Sequence, residues 1–213
     1  RYVNAVIPTP AVRFSYDADY PRVLTMQDTN GTTAFSYHPV PSAGAGRLAS
    51  IDGPWTNDTI TFAYDELGRV ISRAINNVAI RRTFDPAGRL TQLTNSLGVF
   101  DLTWEVGSDR LSGVHYPNGQ ATEFAYHPNI RDQLLQRITH RLPNSAILSE
   151  FTYGYNAQAQ ATNWTQLQGG TTQTWAPAYD AADRLLGVAV TQGGVPVQTF
   201  AYTYDDADNR TSE

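Results

Sequence analysis

The feature that most restricts this chain is a short stretch that comes back. Phe62-Ala63-Tyr64-Asp65-Glu66-Leu67-Gly68-Arg69-Val70 reappears as Arg82-Thr83-Phe84-Asp85-Pro86-Ala87-Gly88-Arg89-Leu90. The alternation ending in Tyr64 or Phe84 predicts a strand, because strand side chains point to opposite faces with a period of two. Asp65 can accept a hydrogen bond from the backbone N–H two residues on and so open a turn. Gly68 supplies a position where positive φ has little steric cost, and Arg69 starts the returning strand. A single hairpin is marginal in water. The copies must therefore pair with one another.

Aligned on the last aromatic before each turn, copies fall at Tyr16, Tyr37, Tyr64, Phe84, Trp104, Tyr126, Tyr155, Tyr179 and Tyr204, spaced 20 to 29 residues apart. Two short strands and two turns fill about that length. The expected fold is all-β: consecutive antiparallel hairpins, about nine degenerate repeats, in one twisted, curling sheet that is open and barrel-like or spiral. No break in composition divides the chain, so residues 1–213 read as a single domain, with 1–13 an entry strand or tail. Pro39, Pro41 and Gly44-Ala45-Gly46 make a bulging loop. Asn76-Asn77, Asn118-Gly119, Gly169-Gly170 and Gly193-Gly194 mark turns at the opposite ends of the strands. Residues 133–142 carry apolar side chains at 134, 135, 138 and 142, which fits a helical face, but their place in the repeat predicts a strand. In the copy after Tyr155, Asn156, Ala159 and Gln160 replace the Asp, Gly and Arg.

Charged residues make up only 16% of the chain, against roughly 25% in ordinary globular proteins; Thr, Asn, Gln and Ser fill the shortfall and suit solvated sheet faces. A net charge of −5 without a Lys/Arg run argues against a nucleic-acid partner. The absence of cysteine excludes disulfides and thiolate metal sites. No apolar run approaches the roughly 20 residues of a spanning helix, so membrane insertion is not expected. No signal peptide follows Arg1; the start without methionine and the end at Glu213, just past a motif, suggest a piece of something longer.

The Asp–Arg pairs Asp65/Arg69, Asp85/Arg89, Asp180/Arg184 and Asp205/Arg210 could form an array of carboxylates for a ligand or metal. The plainer reading, favoured by their repetition at turn after turn, is a turn cap plus a cross-turn ion pair with each Arg stem over a neighbouring aromatic. Asp205-Asp206-Ala207-Asp208-Asn209 and Asp17-x-Asp19 superficially suggest Ca²⁺ ligands, but no Gly-and-Glu loop pattern completes the set. His38, His115, His127 and His140 lack metal-type spacing, and no Gly-x-Ser-x-Gly elbow accompanies them. His38 and His127 stand where the turn motif has Asp, and a polar side chain can act similarly there. A glycosidase pair among the carboxylates is a weak possibility. No catalytic residue, cofactor site or metal site is therefore assigned. The motif aromatics read as a packed ladder between hairpins, whereas Trp55 and Trp164, outside the motif, are candidate stacking platforms for sugars. Asn30, Asn57, Asn163 and Asn209 begin Asn-x-Ser/Thr triplets expected by chance in so Thr/Asn-rich a chain.

Tyr64-Asp65 followed by Gly68-Arg69, Phe84-Asp85 followed by Gly88-Arg89, and Val114-x-Tyr116-Pro117-Asn118-Gly119 resemble the YD-repeat (Rhs) family, over residues 11–213. The resemblance implies a bacterial, secreted or surface-exposed protein whose hairpins pair side by side into a long curling sheet. In larger relatives such a sheet encloses a toxin or effector, and in animal relatives, the teneurins, a similar shell serves adhesion. Those shells hold many more hairpins than the nine here, and no autoproteolytic core or toxin domain is expected within these 213 residues. The expected function is a non-enzymatic structural scaffold: a segment of a larger extracellular or cell-surface chain, forming a shell wall or adhesive surface. The alternatives are a carbohydrate- or cell-surface-binding module using exposed Trp and Tyr, and self-assembly through open sheet edges. The expected partners are the rest of such a chain or another copy, with glycans as the binding alternative.

Overall fold

The computed structural model describes residues 11–212, so most of the tail expected over 1–13 lies outside the described residues. The described chain is all-β and antiparallel, as the repeat requires. Its contacts divide it into two compact units, one ending at Phe100 and the other starting at Asp101.

In the first unit, β1 (Arg13–Tyr16), β2 (Val23–Asp28), β3 (Gly31–Tyr37), β4 (Leu48–Asp52), β5 (Ile60–Tyr64), β6 (Val70–Ile75), β7 (Val78–Phe84) and β8 (Leu90–Asn95) follow one another. Each pairs antiparallel with the next. Register separates the two faces cleanly. Phe35, Ile51, Ile60, Ile75 and Val78 are successive cross-strand partners. One residue along, on the opposite face, Ser36, Ser50, Thr61, Ala74 and Ala79 form the neighbouring row. Large apolar side chains thus share one face and small or hydroxylated ones the other, as period-two alternation dictates.

The second unit takes up β9 (Gly98–Trp104) at Asp101. It continues through β10 (Leu111–His115), β11 (Ala121–Tyr126), β12 (Leu135–Arg141), β13 (Ile147–Tyr155), β14 (Ala161–Gln168), β15 (Thr171–Tyr179), β16 (Leu185–Gln192) and β17 (Val195–Ala201). Sequential antiparallel pairing runs throughout, and β18 (Thr203–Tyr204) and β19 (Arg210–Ser212) form a separate small hairpin. Within the 133–142 segment Leu135–Arg141 form strand β12, while Gln133, at φ 53, still belongs to the turn; a single 3-10 turn, Asn129–Arg131, precedes it. On one face Tyr153, Trp164, Trp175 and Val190 are successive partners; on the other Thr152, Thr165, Thr174 and Thr191 line up. Among the described residues only Ala74, Gly113, Thr122, Thr139, Val188 and Val190 are buried. Stability therefore rests on neighbour-to-neighbour contacts rather than on a central core.

The repeat is most exact at its bulge. Ala63 faces Ser72, but Tyr64 faces Val70, which leaves Ile71 as an extra residue. The same slip occurs at Tyr16, Tyr37 and Phe84 in the first unit. In the second it recurs at Trp104, Tyr126, Tyr155, Tyr179 and Tyr204. All nine aligned aromatics thus end a strand opposite a bulge, which bends the returning strand and raises its local twist. At the other strand ends, Asn76-Asn77, Gly169-Gly170 and Gly193-Gly194 have positive φ at both positions, the geometry of tight hairpin turns.

Candidate functional site

Each motif turn is built around one side chain. In Asp65, Oδ1 accepts from the backbone N–H groups of Leu67 (3.0 Å) and Arg69 (2.9 Å), while Oδ2 accepts from Arg69 Nε at 2.6 Å. Asp85 holds Arg89 and Asp180 holds Arg184 in the same way. Asp17 pairs with Arg22 and Glu105 with Arg110 across turns one residue longer. These donors stabilise the charged carboxylate. The backbone N–H and guanidinium of Arg89 hold the Asp85 carboxyl below its usual 3.8. Arg184 does so for Asp180, and the Asp19 N–H with Arg22 for Asp17. At Asp65 lost hydration pushes the carboxyl up, yet the Arg69 backbone and side chain outweigh it and the value falls.

The turn at Tyr204 departs from expectation. Asp205 was expected to pair with Arg210, but Asn209 occupies the position four residues on. Its backbone N–H (2.8 Å) and side-chain amide (3.0 Å to Oδ2) donate to Asp205. Asn209, rather than Arg210, is therefore the counterpart of Arg69 and Arg184, and its donation keeps the Asp205 carboxyl low. The Arg210 guanidinium lies over Tyr202, 5.5 Å from the ring centroid.

The arginines reach beyond their own turns. Arg22 lies over Tyr37 (4.5 Å), Arg47 over Tyr64 (5.6 Å), Arg69 over Phe84 (4.5 Å), Arg110 over Tyr126 (5.6 Å) and Arg184 over Tyr204 (5.1 Å). In each case the ring belongs to the next copy. Cation–π contacts at such partly exposed sites contribute about 0.5–1 kcal/mol each. The hydroxyls of Tyr37, Tyr126 and Tyr204 donate back to the carbonyls of Val23, Leu111 and Leu185, the residues that follow the arginines.

A second link joins the same side chains to the left-handed residue of the next turn. Arg184 Nη1 donates to Asp208 (2.6 Å), Gln160 Nε2 donates to Asp183 (2.9 Å), and Arg110 Nη2 donates to Gln133. Asp208, Asp183 and Gln133 all have positive φ. Where that residue is glycine, the guanidinium comes up against bare backbone: a Cβ on Gly68 would lie 2.5 Å from Arg47 Nη2, and one on Gly88 3.4 Å from Arg69 Nη1. Sequence reasoning found the turn glycines and the Asp–Arg pairs but not this partnership, which depends on how adjacent hairpins align.

His38 and His127 do not cap their turns as Asp does. His38 Nε2 bonds to the Phe62 carbonyl (2.9 Å) and its ring meets Tyr64 edge-on; His127 does the same with the Tyr153 carbonyl (3.3 Å) and Tyr155. To bond a carbonyl, each Nε2 must carry the proton. Asp205 and Asp208, weighed above as cation ligands, face Asn209 and Arg184. Asp17, weighed with them, faces Arg22.

The two candidate stacking tryptophans lie in different units and in different settings. Trp55 sits in the loop between β4 and β5 with 66% of its surface exposed, its backbone N–H bonded to Asp58 Oδ2. Trp164 stacks on Trp175 (5.4 Å, 12°), which stacks on Phe200 (6.0 Å, 14°). That row is a cross-strand ladder. The Trp175 Nε1 within it is buried without a hydrogen-bond partner.

Among the described residues no helix is long and apolar enough to cross a membrane. No family model and no curated protein matches the chain. Among solved structures, TcdB2-TccC3-TEV is similar with a TM-score of 0.54 and 14% identity over 95% of this chain and 14% of that one. A porin-like protein from Bacteroides uniformis aligns with a TM-score of 0.41 and 14% identity over 72% of this chain and 80% of that one. TcdB2-TccC3 without its hypervariable C-terminal region aligns with a TM-score of 0.28 and 14% identity over 93% and 16%. The fold is thus shared with a stretch of the TcdB2-TccC3-TEV chain, 14% of that chain's length.

Proposed function

We propose that this chain is a non-enzymatic structural segment of a larger secreted or cell-surface repeat protein, a stretch of wall rather than a reaction centre. The observation that carries the reading is where the polar chemistry goes. Arg22, Arg69, Arg110 and Arg184 are each engaged by the carboxylate of their own turn, the ring of the next copy and, at Arg110 and Arg184, the left-handed residue of the next turn. Such nearest-neighbour coupling is what a repeat array needs. The likeness to a stretch of TcdB2-TccC3-TEV supports the fold of such a segment, and the motif resemblance to YD repeats is what suggests a bacterial, exported parent.

One observation favours a second reading at one place: Trp55 offers an exposed indole suited to stacking on a sugar. A glycan array, a panel of glycosidase substrates and light scattering against concentration separate the readings. The scaffold is expected to be inert in all three. Glycan binding abolished by Trp55→Ala would replace it with recognition, turnover would replace it with an enzyme, and a mass that rises with concentration would replace it with self-assembly.

A further inference from the structure

Among the described junctions between copies, one has neither an arginine over the next ring nor a polar side chain reaching the next turn, and a cleft stands there. At the turn after Tyr126, the backbone N–H of His127 is bonded to the Leu134 carbonyl, as Asp65 is to Arg69 and His38 to Arg47. Leu134 therefore occupies the arginine position. The next copy places Ala159, at φ 62, where its successors place Asp183 and Asp208. The residues that would carry the arginine-to-ring and side chain-to-turn links are thus Leu134 and Ala159, both in the lining of one cleft. A cleft of about 280 Å³ opens over this junction, lined by His127, Leu134, Tyr155, Asn156 and Ala159 with Asp132 and Arg131 at the 3-10 turn.

The copy at Tyr37 acts as an internal control. It has the same histidine, bonded to the same type of carbonyl and edge-on to the same type of ring, but it keeps Arg47, whose guanidinium lies over Tyr64. The junction at Tyr155 is that arrangement with the guanidinium taken away. Gln160, which also replaces an arginine, differs because it still reaches Asp183. Among the described residues, only the 134–159 junction loses both the cation and its polar partner.

We propose that this cleft is a docking site for an arginine side chain of a partner protein, whose guanidinium takes the place over Tyr155 that the chain's own arginines take over Tyr37, Tyr64, Phe84, Tyr126 and Tyr204. Tyr155 supplies the ring face. Asp132, which lines the cleft, supplies the charge that Asp65 or Asp180 supplies elsewhere; the Asn156 amide is already engaged by the Gln158 and Gln160 N–H groups and by the Gln160 side chain. Guanidinium fits a ring face beside a carboxylate better than ammonium because it is planar, stacks on rings and donates in a fork. The site is independent of whether the chain is a scaffold; it specifies what one junction can hold.

The test titrates N-acetyl-arginine amide, N-acetyl-lysine amide and N-acetyl-leucine amide into the intact chain, read by NMR at the Tyr155 and His127 rings. The arginine amide is expected to bind with a dissociation constant on the order of millimolar, several-fold tighter than the lysine amide and at least tenfold tighter than the leucine amide. Leu134→Arg, which restores the repeat's own residue, should abolish this binding while melting no lower than wild type. Asp132→Asn should weaken it several-fold, and Arg131→Ala should leave it equal or tighter. Leucine amide binding as well as arginine amide, no binding up to the solubility limit, binding unchanged in folded Leu134→Arg, or binding lost in Arg131→Ala would each overturn the assignment.

Discussion

The turns after Tyr126 and Tyr179 sit in the same unit, end in the same bulge, and solve the same problem with different residues. At Asp180 one carboxylate caps the turn and holds Arg184. Arg184 in turn spans to Tyr204 and Asp208, so two turns and a ring are joined through one charged side chain. At His127 the cap is gone. The imidazole links directly to the next strand's carbonyl and ring, the arginine position is leucine, and a cleft remains. The backbone tolerates both because the bulge and the hairpin hydrogen bonds are already in place. What changes is the coupling between copies. Local geometry and inter-repeat coupling are therefore separable properties here, set by different residues of the motif.

Acid should expose that difference most broadly, since it acts on every carboxylate turn at once. The carboxyls of Asp17, Asp65, Asp85, Asp180 and Asp205 are all held below their ordinary 3.8 in the folded chain. A folded-state value below the unfolded one means that the unfolded chain takes up protons first as pH drops. Their contribution is thus complete above about 3.8 and is lost as pH falls through the lower folded-state values. Melting followed from pH 6 to pH 2 should drop steeply below pH 4, and hydrogen exchange should quicken first around Asp65, Asp85 and Asp180. Uniform loss that includes the Asn156 turn, which has no carboxylate, would contradict this account.

Next in size are the turn glycines. Gly68 and Gly88 have φ of 75 and 87, where a β-branched side chain is strained by about 1–3 kcal/mol. Gly68→Val should cost more than Gly88→Val, because its Cβ also meets the Arg47 guanidinium. Denaturant unfolding gives both values, and wild-type stability in both would refute the turn geometry.

The comparison itself can be broken by converting one junction into the other. Arg184→Leu copies Leu134 into the well-coupled turn. It should lower the melting midpoint more than Gln160→Leu does, since it removes the pair with Asp180, the link to Asp208 and the contact over Tyr204 together. Equal effects would mean that the coupling resides in the backbone alone.

Much of this was legible in the chain because its determinants are local. Tyr64, Asp65, Gly68 and Arg69 lie within six residues, and strand alternation, turn capping and positive φ act over that distance. All nine aromatics picked by alignment end strands. The expected Asp205/Arg210 pair missed by one residue because the motif was aligned on arginine identity, whereas the turn counts positions and accepts Asn209. The links Arg110–Gln133, Gln160–Asp183 and Arg184–Asp208 join residues 23 or 24 apart. They depend on how one hairpin aligns with the next, which no single motif encodes. Trp164 was ambiguous for a similar reason: its stacking partner Trp175 is fixed by cross-strand register.

The smallest effect concerns the eroded turn alone and isolates backbone from coupling. Ala159 has φ 62, a left-handed conformation that costs an L-residue about 1–2 kcal/mol and that glycine adopts freely. Set against this, glycine gains freedom in the unfolded chain, which offsets part of the relief. Ala159→Gly should therefore stabilise by no more than about 1 kcal/mol, seen as a small rise in the unfolding midpoint at unchanged slope. Ala159→Asp tests the other half, because it restores the polar left-handed residue of Asp183 and Asp208 while Leu134 still offers nothing to bond it. Alone it should gain nothing, and together with Leu134→Arg it should gain more than the two single changes combined. Strict additivity would mean that side chains at these two positions do not meet across the junction.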